Sequence, residues 1–128
     1  MSTYTLEIET ITCNTYSDAY GSNDEVWLFV QPDAGVPVRY PFAVLKTNSM
    51  TDKQVWTLGT DDWPPLICSF EYDLQITLWD QDRDLRIDRT DFLANFNFDP
   101  DSNDSISMTA GNGNSSSYSI KWKKTSWG

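Results

Sequence analysis

The sequence predicts an all-β fold, an eight-stranded antiparallel β-sandwich, and three observations carry that expectation. β-Branched and aromatic residues alternate with polar ones over short runs. Clusters of Gly, Pro, Asn and Asp interrupt those runs at close intervals. No helical period of useful length appears. Short strands so spaced bury one face each and need a second sheet to cover it. At 128 residues the chain suits one domain, residues 1–128, without internal repeat or linker.

The first strand is expected over residues 4–13, rich in Thr, Ile and Leu. The second, 25–31, reads Glu-Val-Trp-Leu-Phe-Val-Gln, and the third spans 38–45. A fourth is expected over 54–59. The fifth, 74–79, alternates cleanly and sets Leu74, Ile76 and Leu78 on one face. The sixth, 91–98, gathers Phe92, Ala94, Phe96 and Phe98 in the same way. The seventh and eighth are expected over 105–109 and 118–124.

Charge excludes several function classes. Nine Lys and Arg face 19 Asp and Glu, a formal net charge of −10. No basic surface is available to displace counterions from phosphates, so nucleic acid is not an expected partner. Polybasic attachment to anionic lipid is equally disfavoured. Histidine is absent, which removes histidine-based triads and most zinc sites. With 39% hydrophobic and 14% aromatic residues the chain can nevertheless build a core. No apolar run approaches the roughly 20 residues that span a bilayer. The first residues form neither a basic nor an apolar leader region, which favours a cytoplasmic or membrane-peripheral location, although the mature form of an exported protein would read the same; a monomer is expected. Cys13 and Cys68 match no metal spacing and read as small buried hydrophobes; a disulfide is the alternative, open to an exported protein.

The loops carry the chemistry. In an up-and-down succession alternate loops lie at one end, so the loop before the second strand and the loop before the sixth should meet. The former holds Asp18 and Asp24; the latter holds Asp80, Asp82, Asp84, Asp88 and Asp91. Crowded carboxylates raise one another's pKa unless a cation neutralises them. Hard oxygen ligands without imidazole or thiolate select calcium or magnesium, and flexible carboxylate loops favour calcium. Against this, acidic loops are common on a chain of pI 4.1, and Arg83, Arg86 and Arg89 could form ordinary surface pairs.

Two segments resemble the calcium-binding C2 domain family. One is Asp18-Ala-Tyr-Gly-Ser-Asn-Asp24, followed by a strand ending in Pro32-Asp33. The other is Leu-Trp-Asp80-Gln-Asp82-Arg, followed by Thr-Asp91-Phe92-Leu93. The strand arrangement of most of the chain is similar to the family's permuted type II topology. The resemblance implies calcium ligation by Asp18, Asp24, Asp80 and Asp82. The fifth ligand is Asp88, by its spacing from Asp80, or Asp91, by its place before the sixth strand. Asn23-Asp24-Glu25 and Ala94 depart from the family pattern. The segment from Asp80 to Asp91 also resembles an EF-hand loop, but Leu85 stands where a glycine turn is needed and the flanks read as strands.

Three functions follow as expectations. The resemblance implies calcium-dependent binding to a phospholipid membrane, with Tyr20, Met50, Leu85 and Ile87 as candidate inserting residues. A calcium-stabilised carbohydrate- or protein-binding module is the second reading, with Trp63 as the exposed ring for stacking on a sugar at the end away from the acidic loops. A structural domain whose metal only holds the loops is the third. Catalysis is not expected, since no activated nucleophile or cleft is legible.

Overall fold

The computed structural model describes residues 3–15, 24–42, 46–81, 92–101, 108–111 and 116–126. All of its regular elements are strands: β1 (Tyr4–Thr15), β2 (Asp24–Pro32), β3 (Val38–Tyr40), β4 (Asn48–Met50), β5 (Val55–Thr57), β6 (Leu66–Phe70), β7 (Leu74–Asp80), β8 (Phe92–Phe98), β9 (Met108–Gly111) and β10 (Ser117–Ser126). They form two antiparallel sheets, so the expected β-sandwich is the observed architecture. The first sheet runs β5-β1-β10-β9 with β6 also on β1; the second runs β3-β2-β7-β8 with β4 also on β2.

Among the described residues ten strand segments occupy eight strand positions. β3 and β4 pair in succession with β2, at Leu28–Val30 and at Asp24–Val26. β5 and β6 do the same along β1, at Thr10–Thr12 and at Tyr4–Ile8. Each sheet therefore has one edge position filled by two strand segments: in the second sheet the first of them ends at Tyr40, before Pro41, and in the first sheet they are separated by an excursion over residues 58–65. Pro41 explains the end at Tyr40, because it carries no amide hydrogen to continue a ladder.

The core lies between the sheets and shows the alternation that predicted it. Leu74, Ile76 and Leu78 are buried, as are Ala94, Phe96 and Phe98 on the neighbouring strand. β1 changes phase midway: Leu6 and Ile8 face inward, then Ile11 and Cys13. The register against β10 shifts between Ile8 and Thr10, so Glu9 is a bulge residue that re-aims the strand. A second shift at Leu78/Trp79 lets Leu93 turn into the core beside Ala94.

Both cysteines are buried thiols, in keeping with their expected role as small buried hydrophobes. An internal disulfide is excluded by register. Cys68 pairs with Leu6, and Cys13 lies seven residues further along β1. That is about 23 Å of strand, against the 7 Å limit, roughly, for a bridged pair.

Candidate functional site

The end of the sandwich where β1 leads toward β2 is assembled from four chain segments. β2 begins there with Asp24, and β7 ends there with Asp80, the two strands being in register at Val26 and Asp80. The Glu25 amide donates to Asp80 Oδ1 at 2.8 Å, and the Gln81 amide donates to the Glu25 carbonyl at 2.9 Å. The turn between β4 and β5 docks beside them: Cys13 donates to the Gln54 carbonyl, and Lys53 to the Cys13 carbonyl. Ser116, just before β10, donates from its buried Oγ to the Leu93 carbonyl. The loops paired by parity in the sequence thus do spring from one end. The two strand segments not expected from sequence, β4 and β6, extend existing edge positions and add no strand to the succession, so the parity of the loops is unchanged.

Asp24 is fully buried, and its Oδ2 accepts a 2.5 Å hydrogen bond from the Tyr118 hydroxyl. It sits in phase with Val26, Leu28 and Val30, so its side chain enters the sandwich. Tyr118 belongs to the opposite sheet, which makes this bond a tie between the two layers. Burial pushes the Tyr118 hydroxyl far above its ordinary pKa, and the hydrogen bond to Asp24 adds to it, so the phenol remains a neutral donor. Burial likewise raises the Cys13 thiol to about 11, with the Tyr118 hydrogen bond opposing and the charges of Asp24 and Asp52 adding. Asp52, in the β4–β5 turn, is a carboxylate of this end that the motif comparison did not single out.

Of the sequence-based ligand set, the structure therefore brings together Asp24 and Asp80. Asp18, Asp82, Asp88 and Asp91, together with Asp84, lie outside the described residues, as do Tyr20, Leu85 and Ile87. Among the described residues no group of three or more potential ligands is assembled for a metal ion. Asp24 and Asp80 are carboxylate donors of the hard-oxygen kind that calcium takes, and an ionised carboxylate can serve an N–H or O–H and a cation together. Asp24 would have to share its carboxylate in that way with Tyr118.

Two expectations are corrected. Met50 is not an inserting residue: it pairs with Asp24 across the β2–β4 ladder and is fully buried in the core. Trp63 is not an open ring at the far end. Its excursion leaves β1 near mid-length, where the Leu58 amide meets the Glu9 carbonyl at 3.0 Å. There the indole packs edge-on against Trp56 at 5.0 Å and lies under the Lys46 ammonium at 4.5 Å.

Asp33, the last residue of the first motif, works at the opposite end. Its carboxylate accepts amide hydrogens from Glu71, Tyr72 and Asp73, and those bonds hold its pKa below the ordinary value. It fastens the β6–β7 turn to the β2–β3 turn. No protein-family model matches the chain, and a search of curated proteins returns no match.

Proposed function

We propose that the protein is a calcium-binding, C2-like module that associates with phospholipid surfaces when calcium is bound. The observation that supports this reading is the adjacency of Asp24 and Asp80, far apart in sequence, at strand ends from which both acidic loops depart. Calcium held between those loops would bridge carboxylates to lipid phosphates and cancel the repulsion of an acidic end from an anionic surface.

Calorimetric titration of three variants tests the site. Asp24→Asn preserves shape and removes a charge, so calcium affinity should fall if two loops share the ion. Asp82→Asn should weaken it whichever way the loops are used. Asp84→Asn should matter less than Asp24→Asn. An Asp24→Asn protein that titrates like the parent, beside an Asp84→Asn protein that does not, overturns the two-loop site in favour of an EF-hand-like one.

The Asp24–Tyr118 bond favours a second reading, in which Asp24 is a structural tie between sheets. In that case Asp24→Asn lowers stability in chelator and leaves calcium titration unaltered. Sedimentation with vesicles of phosphatidylserine and phosphatidylcholine, with calcium and with chelator, tests the membrane role; binding in chelator contradicts it.

A further inference from the structure

The outer face of the second sheet is organised in rows set by register. At the end remote from the acidic loops, Gln31, Gln75 and Asn97 stand side by side across β2, β7 and β8. Two residues along the strands come Phe29, Thr77 and Asn95, and beyond them come Trp27, Trp79 and Phe92, two residues on along β2 and β7 and three along β8 across its register shift. The face thus grades from amides to aromatic rings over about 14 Å, four residues of strand.

The amide row opens into a cavity of about 300 Å³. Asp73 and Asp99 also line it, beside Leu74 and Phe98, whose side chains are buried in the core between the sheets. Its polar groups are already oriented. Gln31 donates to the Gly35 carbonyl at 2.7 Å, and Gln75 to Asn95 Oδ1 at 3.1 Å. The lip is formed by Ala34, whose φ of 54° places a non-glycine residue in the left-handed region. The rings beyond are also fixed: Trp79 donates from its indole to Thr77 Oγ1 at 2.9 Å and meets Phe29 and Phe92 edge-on. Phe29, Trp79 and Phe92 are partly exposed, whereas Trp27 is covered by the Arg39 guanidinium at 5.0 Å.

We propose that this face binds a neutral oligosaccharide, with one pyranose unit in the cavity and the chain continuing along β2 toward Phe29 and Trp79. Sugar hydroxyls both donate and accept, as do primary amides, while carboxylates take paired hydroxyl donors. The partly exposed rings of Phe29 and Trp79 meet the C–H faces of the sugar. Charge selects against anionic ligands, because the lining offers two carboxylates and no cationic side chain on a chain of net charge −10. The site is at the end opposite the acidic loops and owes nothing to calcium.

Titration calorimetry in chelator tests the proposal. The probes are neutral tetrasaccharides of glucose (α- and β-linked), galactose, mannose, xylose and N-acetylglucosamine, their parent monosaccharides, and spermine as a cationic ligand. At least one tetrasaccharide should bind more tightly than its monosaccharide. Asn97→Ala and Gln75→Ala should each weaken it about three- to tenfold, the range of one lost neutral hydrogen bond. Trp79→Ala should weaken the tetrasaccharide and spare the monosaccharide. Unchanged melting temperatures in Asn97→Ala and Gln75→Ala would assign their losses to the site. No binding by any of the sugars at 10 mM overturns the proposal, as does sugar binding that survives both amide variants. Binding of spermine alone overturns it in favour of a cation site.

Discussion

Asp24 and Tyr118 meet from opposite sheets, and both are buried. Tyr118→Phe keeps the ring and withdraws a donor from a buried carboxylate, at an expected cost of about 1–3 kcal/mol, read as a lower urea midpoint with unchanged slope. If Asp24 also serves calcium, the same variant should bind the ion more tightly, because the carboxylate no longer divides its lone pairs. A midpoint equal to the parent's would show that the tie contributes nothing. The thiols make a separate prediction. Burial raises Cys68 from 9.0 to about 12 and Cys13 from 9.0 to about 11. A thiol whose pKa is higher folded than unfolded stabilises fully below the unfolded value, and that contribution is lost as pH climbs from about 9 toward the folded value. The melting temperature should therefore fall between pH 8.5 and 11, and fall less in Cys68→Ala. Asp33 acts at the other extreme. Its depressed pKa supports the fold above the unfolded value of about 3.8 and ceases to as acid protonates it. Asp33→Asn should flatten the acid limb of the same curve.

The β2–β3 turn supplies the clearest prediction at the scale of an element. Asp33 and Ala34 both have φ of 54°, and the Gly35 amide donates to the Pro32 carbonyl at 2.9 Å, the pattern of a type I′ hairpin turn. Asp33 is held by its three amide contacts, but Ala34 carries the left-handed conformation with a Cβ. Ala34→Gly should relieve that conformation and raise stability by a few tenths to about 1 kcal/mol; a lower urea midpoint would contradict it. Elements with strong period-two patterns were legible from sequence: β2, β7 and β8 deviate from expectation by a residue at each end or less. β4 and β6 were missed for different reasons. Asn48-Ser49-Met50 has no β-propensity to speak of and is a strand only because Asp24–Val26 offers it a ladder. Leu66–Phe70 alternates, but Pro64 and Pro65 precede it and set it in what reads as a loop. The same tertiary ladder swallowed Met50, whose burial depends on β4 existing. The candidate site was legible only in its parity, because Asp24's inward direction is fixed by the phase of β2 and by a Tyr 94 positions away.

On the scale of the molecule, the question is whether calcium acts at a site or merely on net charge. A chain at −10 repels itself, and any salt that screens this repulsion will raise the melting temperature somewhat. A bound ion behaves differently. It stabilises by RT ln(1 + [L]/Kd), about 2.7 kcal/mol at a hundredfold excess over Kd, and its effect grows with the logarithm of free calcium at constant ionic strength. Thermal unfolding in chelator, in calcium, and in sodium chloride matched to the same ionic strength separates the two. Calcium should exceed the matched salt by several degrees, and magnesium should fall between them, since carboxylates from two loops meet its octahedral demand poorly. Asp80→Asn should remove the excess and leave the sodium chloride response in place. Equal midpoints in calcium and matched salt would reduce the acidic end to a solvated surface, with the calcium-dependent membrane role lost along with it.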